Sequence, residues 1–391
     1  MKFWHLNFRH LLAVAKIAEL GTLNAAARAV NLTQPAITQA LARTELLLGT
    51  PMFERRHDGM TPTPAAMLMV PRIRAALDHA ASPQLTMSRF RALLALADSG
   101  SYTGASQLTG LSLPSLHRAV ADLALAQRRT LVERRGKAVF LTEAGRQTAR
   151  AFRLARVELE TGLSELAALA GKETRRIVVG AMPLSRARVL PAAVTAFMRR
   201  HPQVHVAIIE GSRGELVEPL RNGAVDLMVG ALRDPLSEPD LEQQALFRDL
   251  PAVVARKDHP LAGSNPDLAA LAAYSWIIAA PGAPLRASWE QMFARAGLAL
   301  PPVPIESGSV MTIRQLLIDS DLLTLLSPDQ VAVELEAGWL TILRQAPAGT
   351  EREIGVTTRA SWRPTSVQAE FVADLVAAST HPSARKVIAP G

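Results

Sequence analysis

The sequence predicts a chain of two parts: a mainly helical first half built from a duplicated small module, and an α/β second half. Three observations predict this fold class. A short pattern recurs 79 residues apart in the first half, and a long proline-free stretch with heptad spacing follows the second copy. From about residue 175, short apolar runs alternate with amphipathic helices, which is typical of a parallel α/β sheet. The length of 391 residues suits roughly two to four domains.

The first half contains two copies of one module. A shift of 79 residues aligns LTQPAITQAL, which starts at Leu32, with LSLPSLHRAV, which starts at Leu111. The same shift aligns the two Glu-Arg-Arg triplets and pairs Thr63 with Thr142, and no gap is needed between about residues 21 and 66. Upstream, FRHLL matches FRALL at an offset of 82. An ordered match of this length indicates a duplication.

Each copy is predicted to contain three helices. FRHLLAVAKIAEL has apolar residues at helical spacing and ends at Gly21, a C-cap signal. We expect Asn24 to begin a short alanine-rich second helix. Thr33 is placed to cap the third helix, and Pro35 lies in its first turn, where a missing N–H costs nothing.

A wing follows the third helix. PMFERRHDGMTPT alternates around a turn at Asp58–Gly59, as a hairpin does, so each copy is predicted to be a winged helix-turn-helix. The stretches GTLNAAARAVNLTQPAITQAL and MFERRHDGMTPTPA resemble the DNA-binding end of LysR-type transcriptional regulators. A member of that family ordinarily has one such module, whereas this chain has two in tandem.

The resemblance extends over essentially the whole chain and, together with the duplication, implies its domain order. The implied order is a winged helix-turn-helix at 1–66, a connector at 67–85, a second winged helix-turn-helix at 86–145, a linker and dimerisation helix at 143–172 and an effector-binding domain at 173–385. We expect Pro71 to interrupt the connector and Ser82–Pro83 to end it.

Charge supports a nucleic-acid partner for the first half. Residues 1–172 contain 22 Lys and Arg against 12 Asp and Glu, a net +10, and the remaining residues contain 21 against 23, a net −2. In the first module, Gln side chains pair well with adenine, and Arg pairs with guanine or phosphate. The predicted DNA-binding residues of the first module are Thr22, Asn24, Arg28, Thr33, Gln34, Pro35, Thr38, Gln39, Arg43, Arg55 and Arg56.

The second module is predicted to read DNA less well. Leu113 replaces Gln34, and Asp122 replaces Arg43, which places a carboxylate where phosphates would lie. The second module therefore either adds phosphate contacts with looser specificity or acts as a spacer. Its candidate DNA-binding residues are Ser112, Ser115, His117, Arg118, Arg134, Arg135 and Lys137.

The long helix that starts after Thr142 has an apolar seam at heptad spacing. One alternative is that this seam packs on its own chain. The LysR resemblance implies instead the linker helix of a homodimer, and that is the reading we favour. The predicted dimerisation residues are Phe152, Ala155, Leu159, Gly162, Leu166 and Leu169.

The second half resembles the two-lobed, periplasmic-binding-protein-like effector domain of the family, with lobe I at about 173–250 and 346–385 and lobe II at about 251–345. Its sequence looks closest to that of the galactose-binding-protein-regulator branch, which favours a sugar or a small organic acid as effector. Ligands of such folds bind beyond the carboxyl ends of the strands. The candidate effector-binding residues are Pro183, Leu184, Ser185, Gly211, Ser212, Pro281, Gly282, Arg286, Ser307 and Ser309. Arg186 and Arg286 are the candidates for holding a ligand carboxylate.

The predicted function is a DNA-binding transcriptional regulator controlled by an effector. The alternatives are a cytoplasmic solute-binding protein and an enzyme, each with an incidental basic N-terminal module. The sequence lacks the glycine, serine and histidine motifs of common enzyme sites, and it has no cysteine, no secretion signal and no membrane-spanning run. We therefore expect a cytoplasmic protein without a metal, a cofactor or a membrane partner. Its expected partners are double-stranded DNA, further copies of itself in a homodimer or homotetramer and, for an activator, RNA polymerase.

Overall fold

The computed structural model describes residues 3–57, 59–81, 85–136, 138–172 and 175–380. The chain forms two compact units. The helical unit comprises Met1–Arg176 with Gln203–His205, and the α/β unit comprises the remaining residues.

The first module has the predicted three helices and wing. Its elements are α1 (Phe8–Leu20), α2 (Leu23–Ala29), α3 (Gln34–Leu48), β1 (Phe53–Arg56) and β2 (Gly59–Pro62), and α4 (Pro64–Ala80) follows. Gly21 ends α1 in the left-handed conformation with a φ of 71°. Thr33 caps α3 through the amide of Ala36, as expected. The predicted start of α2 was wrong by one residue, because the side chain of Thr22 accepts the capping bond from the amide of Ala25 and the helix begins at Leu23.

The second module repeats these elements. They are α5 (Met87–Ser99), α6 (Tyr102–Thr109), α7 (Leu113–Gln127), β3 (Val132–Arg135) and β4 (Ala138–Leu141), followed by α8 (Glu143–Leu169). The two wings have the same antiparallel register, since Phe53 pairs with Pro62 and Val132 pairs with Leu141, which are equivalent positions.

Each module is attached to its following helix in the same way. Thr63 caps α4 and donates its hydroxyl to the carbonyl of Pro51 at 2.8 Å. Its equivalent Thr142 caps α8 and donates to the carbonyl of Thr130 at 2.6 Å. The hydroxyl of each threonine thus closes the wing onto the start of the helix, so each module has a fixed orientation on its helix.

The segment after the first module is a continuous helix, contrary to the sequence prediction. α4 runs from Pro64 to Ala80 with Pro71 inside it, whereas Ser82 and Pro83, the predicted end of the connector, lie outside the described residues. Pro71 is exposed, so its ring does not occupy the packed side of the helix. α4 therefore has an uninterrupted buried face.

That buried face packs antiparallel on α8. Met69, near the start of α4, lies so close to Gly162 in the second half of α8 that a Cβ there would be 2.5 Å from the methionine sulfur. At the other end of the pair, His79–Ala81 and Gln147–Thr148 line one recess. Gly162 is thus required by the close approach of α4, and the two equivalent helices run in opposite directions.

A buried ion-pair cluster joins the two helices. Arg72 of α4 contacts Glu158 at 3.1 Å and Glu165 at 3.0 Å through separate nitrogens, and all three side chains are almost fully buried. Burial alone lowers the pKa of Arg72, but hydrogen bonds and charges from Glu165 and Glu158 outweigh it, so the pKa lies above its ordinary value. Removal of one member would leave an unpaired charge in the interior.

One apolar core runs through both modules. Phe90 of α5 stacks on Phe152 of α8 with ring centroids 4.8 Å apart and contacts Phe8 of α1 at 5.3 Å. Phe3 and Trp4, ahead of α1, also pack against Phe90. The two copies therefore form one folded unit instead of two independent domains.

The heptad seam lies within this core. Phe152, Ala155 and Leu159 are fully buried by residues of the same chain, and Leu166 is 8% exposed, whereas Leu169 is 55% exposed. The structure thus places most of the seam against α4 of the same chain. This is the alternative to the homodimer seam that we favoured from the sequence.

The α/β unit has two sheets with the same strand order. Its strands are β5 (Arg176–Ala181), β6 (His205–Glu210), β7 (Leu227–Ala231), β8 (Leu241–Asp249), β9 (Ala252–Arg256), β10 (Ile277–Ile278), β11 (Ile305–Glu306), β12 (Thr324–Leu326), β13 (Leu340–Gln345) and β14 (Arg352–Arg359). Its helices are α9 (Val189–Arg200), α10 (Arg213–Arg221), α11 (Leu268–Ala272), α12 (Pro284–Arg295), α13 (Val310–Ile318), α14 (Ala332–Glu336) and α15 (Ser366–Thr380), and short 3₁₀ helices span Phe3–His5 in the helical unit and Pro183–Arg186 and Pro328–Val331 in this one.

Lobe I has the order β6-β5-β7-β14-β8. Lobe II has β11-β10 and β12-β9-β13, which a bridge between Trp276 and Leu323 joins into the same order. Both sheets are mixed rather than parallel, because β14 runs antiparallel to its neighbours β7 and β8, and β9 runs antiparallel to β12 and β13. The chain crosses between lobes after β8 and again before β14, so the two lobes share two connections.

We predict that Arg72→Ala destabilises the α4–α8 pair by about 3–5 kcal/mol, because it leaves two glutamates buried without their cation. Hydrogen exchange of the α4 and α8 amides, followed by mass spectrometry, measures this change. Arg74→Ala is the matched control, since Arg74 is an exposed arginine on the same helix. Equal protection in the two variants would contradict the structural role of the cluster.

Candidate DNA-binding surface and effector cleft

The first module presents a polar face on α3. Thr33, Gln34, Pro35, Gln39 and Arg43 are exposed. The opposite face packs inward through Ile37, Ala40, Leu41 and Thr44. Thr38 is partly exposed and donates its hydroxyl to the carbonyl of Gln34 at 3.0 Å, which leaves its methyl group and its oxygen lone pairs for contacts. The helix is thus amphipathic, with hydrogen-bonding side chains on its free side.

The wing and the second helix meet this face at one recess. The recess is lined by Thr22 and Asn24 at the cap and start of α2, Gln34 from α3 and Arg55 and Arg56 from the wing. The structure therefore brings together five of the predicted residues from three elements. Arg28 and Arg43 are exposed outside this lining.

The wing is held against the turn between α1 and α2. The amide of Met60 donates to the carbonyl of Gly21 at 2.7 Å. Gly59 has a φ of +145°, and a Cβ there would lie 2.5 Å from the same carbonyl, so this close approach requires glycine. Asp58, the other predicted turn residue, lies outside the described residues. A side-chain oxygen of Glu45 also accepts the amide of Met52 at 2.7 Å, which ties the start of the wing to α3.

The third helix of the second module, α7, presents different side chains from those of α3. His117 stacks on Tyr102 with ring centroids 3.7 Å apart, so its ring is engaged within the module. Leu113 is 42% exposed at the position of Gln34, and the hydroxyls of Ser112 and Ser115 bond to each other at 2.8 Å. Burial raises the pKa of the Tyr102 hydroxyl, while the charge of Arg134 opposes the shift.

Several basic residues of the second module remain exposed. Arg118 and Arg134 are exposed, and Arg135 pairs with Glu133 at 2.7 Å and lies over Phe140. Asp122 lies 3.7 Å from Arg89, which offsets part of its charge. Sequence comparison did not reveal this ion pair, because Arg89 belongs to another helix. Lys137 lies outside the described residues.

In lobe I, Arg186 joins the ends of β5 and β6. Its guanidinium donates to the carbonyl of Ala181 at 3.1 Å and pairs with Glu210 at 2.8 Å. Gly211 and Ser212 follow Glu210 directly, and Ser212 caps α10 in a reciprocal box with Glu215. Pro183 and Leu184 open the short 3₁₀ helix after β5. The predicted lobe I residues therefore lie together at the carboxyl ends of two adjacent strands.

In lobe II, Arg286 has the equivalent arrangement. It donates to the carbonyl of Ala279 at 3.4 Å and pairs with Glu306, the last residue of β11, at 3.2 Å. It also pairs with Glu290 at 2.7 Å. Pro281 and Gly282 lie in the loop after β10, whereas Ser307 and Ser309 follow β11, with Ser309 capping α13. Each lobe thus assembles its own half of the predicted cleft.

Two predicted roles change with these contacts. Arg186 and Arg286 were expected to hold a ligand carboxylate, but Arg186 already pairs with Glu210, and Arg286 already pairs with two glutamates of lobe II. Ser185 has no exposed surface and donates its hydroxyl to the carbonyl of Met182 at 2.8 Å, so it stabilises its own turn.

Contacts between the lobes involve residues that sequence reasoning missed. Arg188, ahead of α9, pairs with Glu336 of lobe II. Burial raises the pKa of Asp329 in lobe II, and the charge of Arg188 opposes this shift. No local pattern identifies Arg188 and Glu336 as partners, because 148 residues separate them.

Comparison with known proteins places the chain in a family. A model of the bacterial regulatory helix-turn-helix protein of the lysR family matches residues 8–67 and again residues 87–146. A model of the LysR substrate binding domain matches residues 170–379, more than half of the chain. The protein is a DNA-binding regulator with an effector domain, and the chain belongs to the LysR family of transcriptional regulators.

Similar proteins agree with this placement. The HTH-type transcriptional regulator GalR of Pseudomonas putida is 32% identical over 366 residues, which cover 90% of this chain and 92% of that protein. The HTH-type transcriptional regulator GbpR of Rhizobium radiobacter is 23% identical over 246 residues, 62% of this chain and 82% of that protein, so the finer branch stays a prediction. Full-length LysG from Corynebacterium glutamicum with bound effector Arg shares the fold at 19% identity, with a TM-score of 0.56, and covers 74% of this chain and 96% of that chain.

These findings confirm the predicted function. The chain is a DNA-binding transcriptional regulator that contains two helix-turn-helix modules and is controlled by an effector. LysR regulators also oligomerise. Among the described residues, the structure has no helix with the length and hydropathy needed to cross a membrane.

Proposed function

We propose that the first module reads base sequence through α3 in the major groove. The observation that supports this most directly is the shared recess, where Gln34 of α3 adjoins Arg55 and Arg56 of the wing. In this proposal Gln34 and Gln39 contact base edges, since Gln pairs with adenine in two hydrogen bonds. The wing arginines contact phosphates and fix the position of the helix on the duplex.

The second module, in this proposal, contacts phosphates with looser sequence preference. Exposed Arg118 and Arg134 favour this role over that of a pure spacer, and Arg89 offsets the charge of Asp122. Leu113 and the stacked His117 offer few hydrogen bonds to base edges. Phosphate contacts add affinity that depends on salt but carry little sequence information.

The effector that fits the cleft best is a small polyhydroxylated molecule such as a sugar. This follows from the pairing of Arg186 with Glu210 and of Arg286 with Glu290 and Glu306, which leaves neither guanidinium as an uncompensated cation. Paired arginines and glutamates bind hydroxyl groups well, because donors and acceptors alternate. A small organic acid is the second candidate and would have to displace one of the glutamates.

The proposed regulator acts in the cytoplasm without catalysing a reaction. Effector binding closes the two lobes about their two connections and changes the placement of DNA-bound modules within a homodimer or homotetramer. If the regulator activates transcription, the further partner is RNA polymerase.

We predict that Gln34→Ala/Gln39→Ala abolishes the footprint over the specific part of the operator, with a loss of about 1–3 kcal/mol for each base contact. The matched variant Ser115→Ala/Arg118→Ala should shorten the protected region while leaving its specific part. Nuclease footprints on the DNA that flanks the gene measure both. Protection that is unchanged in the first variant would refute base reading by the first module.

We predict that hydroxylated ligands stabilise the α/β unit in thermal unfolding, by about 2.7 kcal/mol at a hundred times the dissociation constant. A panel of monosaccharides and small carboxylic acids provides the probes. Arg286→Gln should abolish the response, whereas Arg295→Gln, an exposed arginine of the same helix, should keep it. A response to the acids alone would overturn the assignment of the effector class.

A further inference from the structure

The two DNA-binding modules of one chain are arranged as a pair with approximate twofold symmetry. α4 and α8 are equivalent in the repeat, and they pack antiparallel. Two equivalent helices in antiparallel contact are related by a twofold axis between them. Each module has the same attachment to its helix through Thr63 or Thr142, so the same axis relates the modules.

A second contact lies on this axis. Phe8 of α1 and Phe90 of α5 are equivalent positions in the two copies, and their rings contact each other at 5.3 Å. A residue that touches its own equivalent lies at a symmetry axis, as in a symmetric dimer. Here both residues belong to one chain, and both are almost fully buried.

We propose that one chain, without a second copy, binds two inverted and unequal half-sites on DNA. The first module occupies a half-site with defined bases, and the second module occupies an inverted neighbour with looser sequence. This inference rests on the proposed function in one respect, namely that the second module touches DNA. It extends that function by giving the operator an orientation and a stoichiometry, with two half-sites for each chain.

The buried ion-pair cluster favours pairing within the chain over pairing between chains. In the repeat, Arg72 of α4 corresponds to Ala151 of α8, so only α4 has the arginine. If α8 of one chain packed on α8 of another in the same register, Glu158 would face alanine instead of arginine. Two buried glutamates in each chain would then lack their cation, which is strongly unfavourable.

The place related to the ion-pair cluster by the twofold axis has different residues. Glu158 corresponds to His79, and His79 and Ala151 both line the recess at the other end of the helix pair. The pair is therefore asymmetric in its packing as well as in its two reading faces. An asymmetric pair fits an asymmetric operator, since each module always faces the half-site that suits it.

Both reading faces remain free when the helices are paired. Gln34 and Gln39 are exposed in the first module, and Ser115 and Arg118 are exposed in the second. The contacts described above that join the modules come from α1 with the residues ahead of it and from α4, α5 and α8, and the third helix of each module keeps its polar side open.

Site-directed DNA cleavage tests this arrangement. Because the chain has no cysteine, one introduced cysteine is the only attachment point for an iron chelate that cleaves nearby DNA. His57→Cys labels the first wing and Ala138→Cys labels the second, and both positions are exposed. The full-length chain is bound to a short duplex, obtained by in vitro selection and trimmed to the smallest protected length.

The proposal predicts cleavage beside one half-site with the His57→Cys probe and beside the other half-site with the Ala138→Cys probe, in mirrored patterns. Arg118→Ala in the second labelled protein should remove that cleavage. Cleavage at both half-sites by the first probe would show that two chains share the pair of half-sites, which overturns the inference.

Cleavage by the first probe alone would make the second module a spacer. That result would also overturn the inference, while base reading by the first module would stand. Cleavage by neither probe would refute the proposed DNA-binding faces themselves.

Discussion

The antiparallel contact of α4 with α8 is the constraint on which the helical unit depends. Without it, the seam residues Phe152, Ala155 and Leu159 would be exposed, and the two modules would have no fixed relation. Arg72 gives the contact a defined register, because it must meet Glu158 and Glu165 together. Buried ion pairs add less stability than apolar packing of the same size, but they penalise any other register or partner.

This constraint gives a duplicated module a use that a single copy lacks. In one chain the second module can lose its base-reading side chains, as at Leu113 and Asp122, while still holding the first module in place. A homodimer of identical modules cannot diverge in this way, since each substitution appears twice. We propose that oligomerisation through other surfaces of the chain brings several such pairs together and that effector binding changes their spacing.

Sequence patterns predicted the local elements well and the long-range contacts poorly. Periodicity and capping signals located both modules, including the caps at Thr33 and Thr142, because these depend on neighbouring residues. They did not locate the partner of α8. A proline in the interior normally ends a helix, and here Pro71 lies on the exposed side while packing of the other side holds α4 together. The same limit applied to the cleft, where the strand ends were predicted but the glutamates that pair with Arg186 and Arg286 were not.

The most direct measurement is disulfide trapping of the helix pair in the Met69→Cys/Gly162→Cys variant. Met69 and Gly162 face each other across the pair, and Met69→Cys removes the methionine sulfur that would lie nearest to a Cβ at residue 162. The natural chain has no cysteine to compete. If α4 and α8 pair within one chain, oxidation at low protein concentration gives a bond inside a single chain, seen as a monomer with altered mobility in denaturing, non-reducing electrophoresis. A product of twice the mass would contradict the intrachain pair.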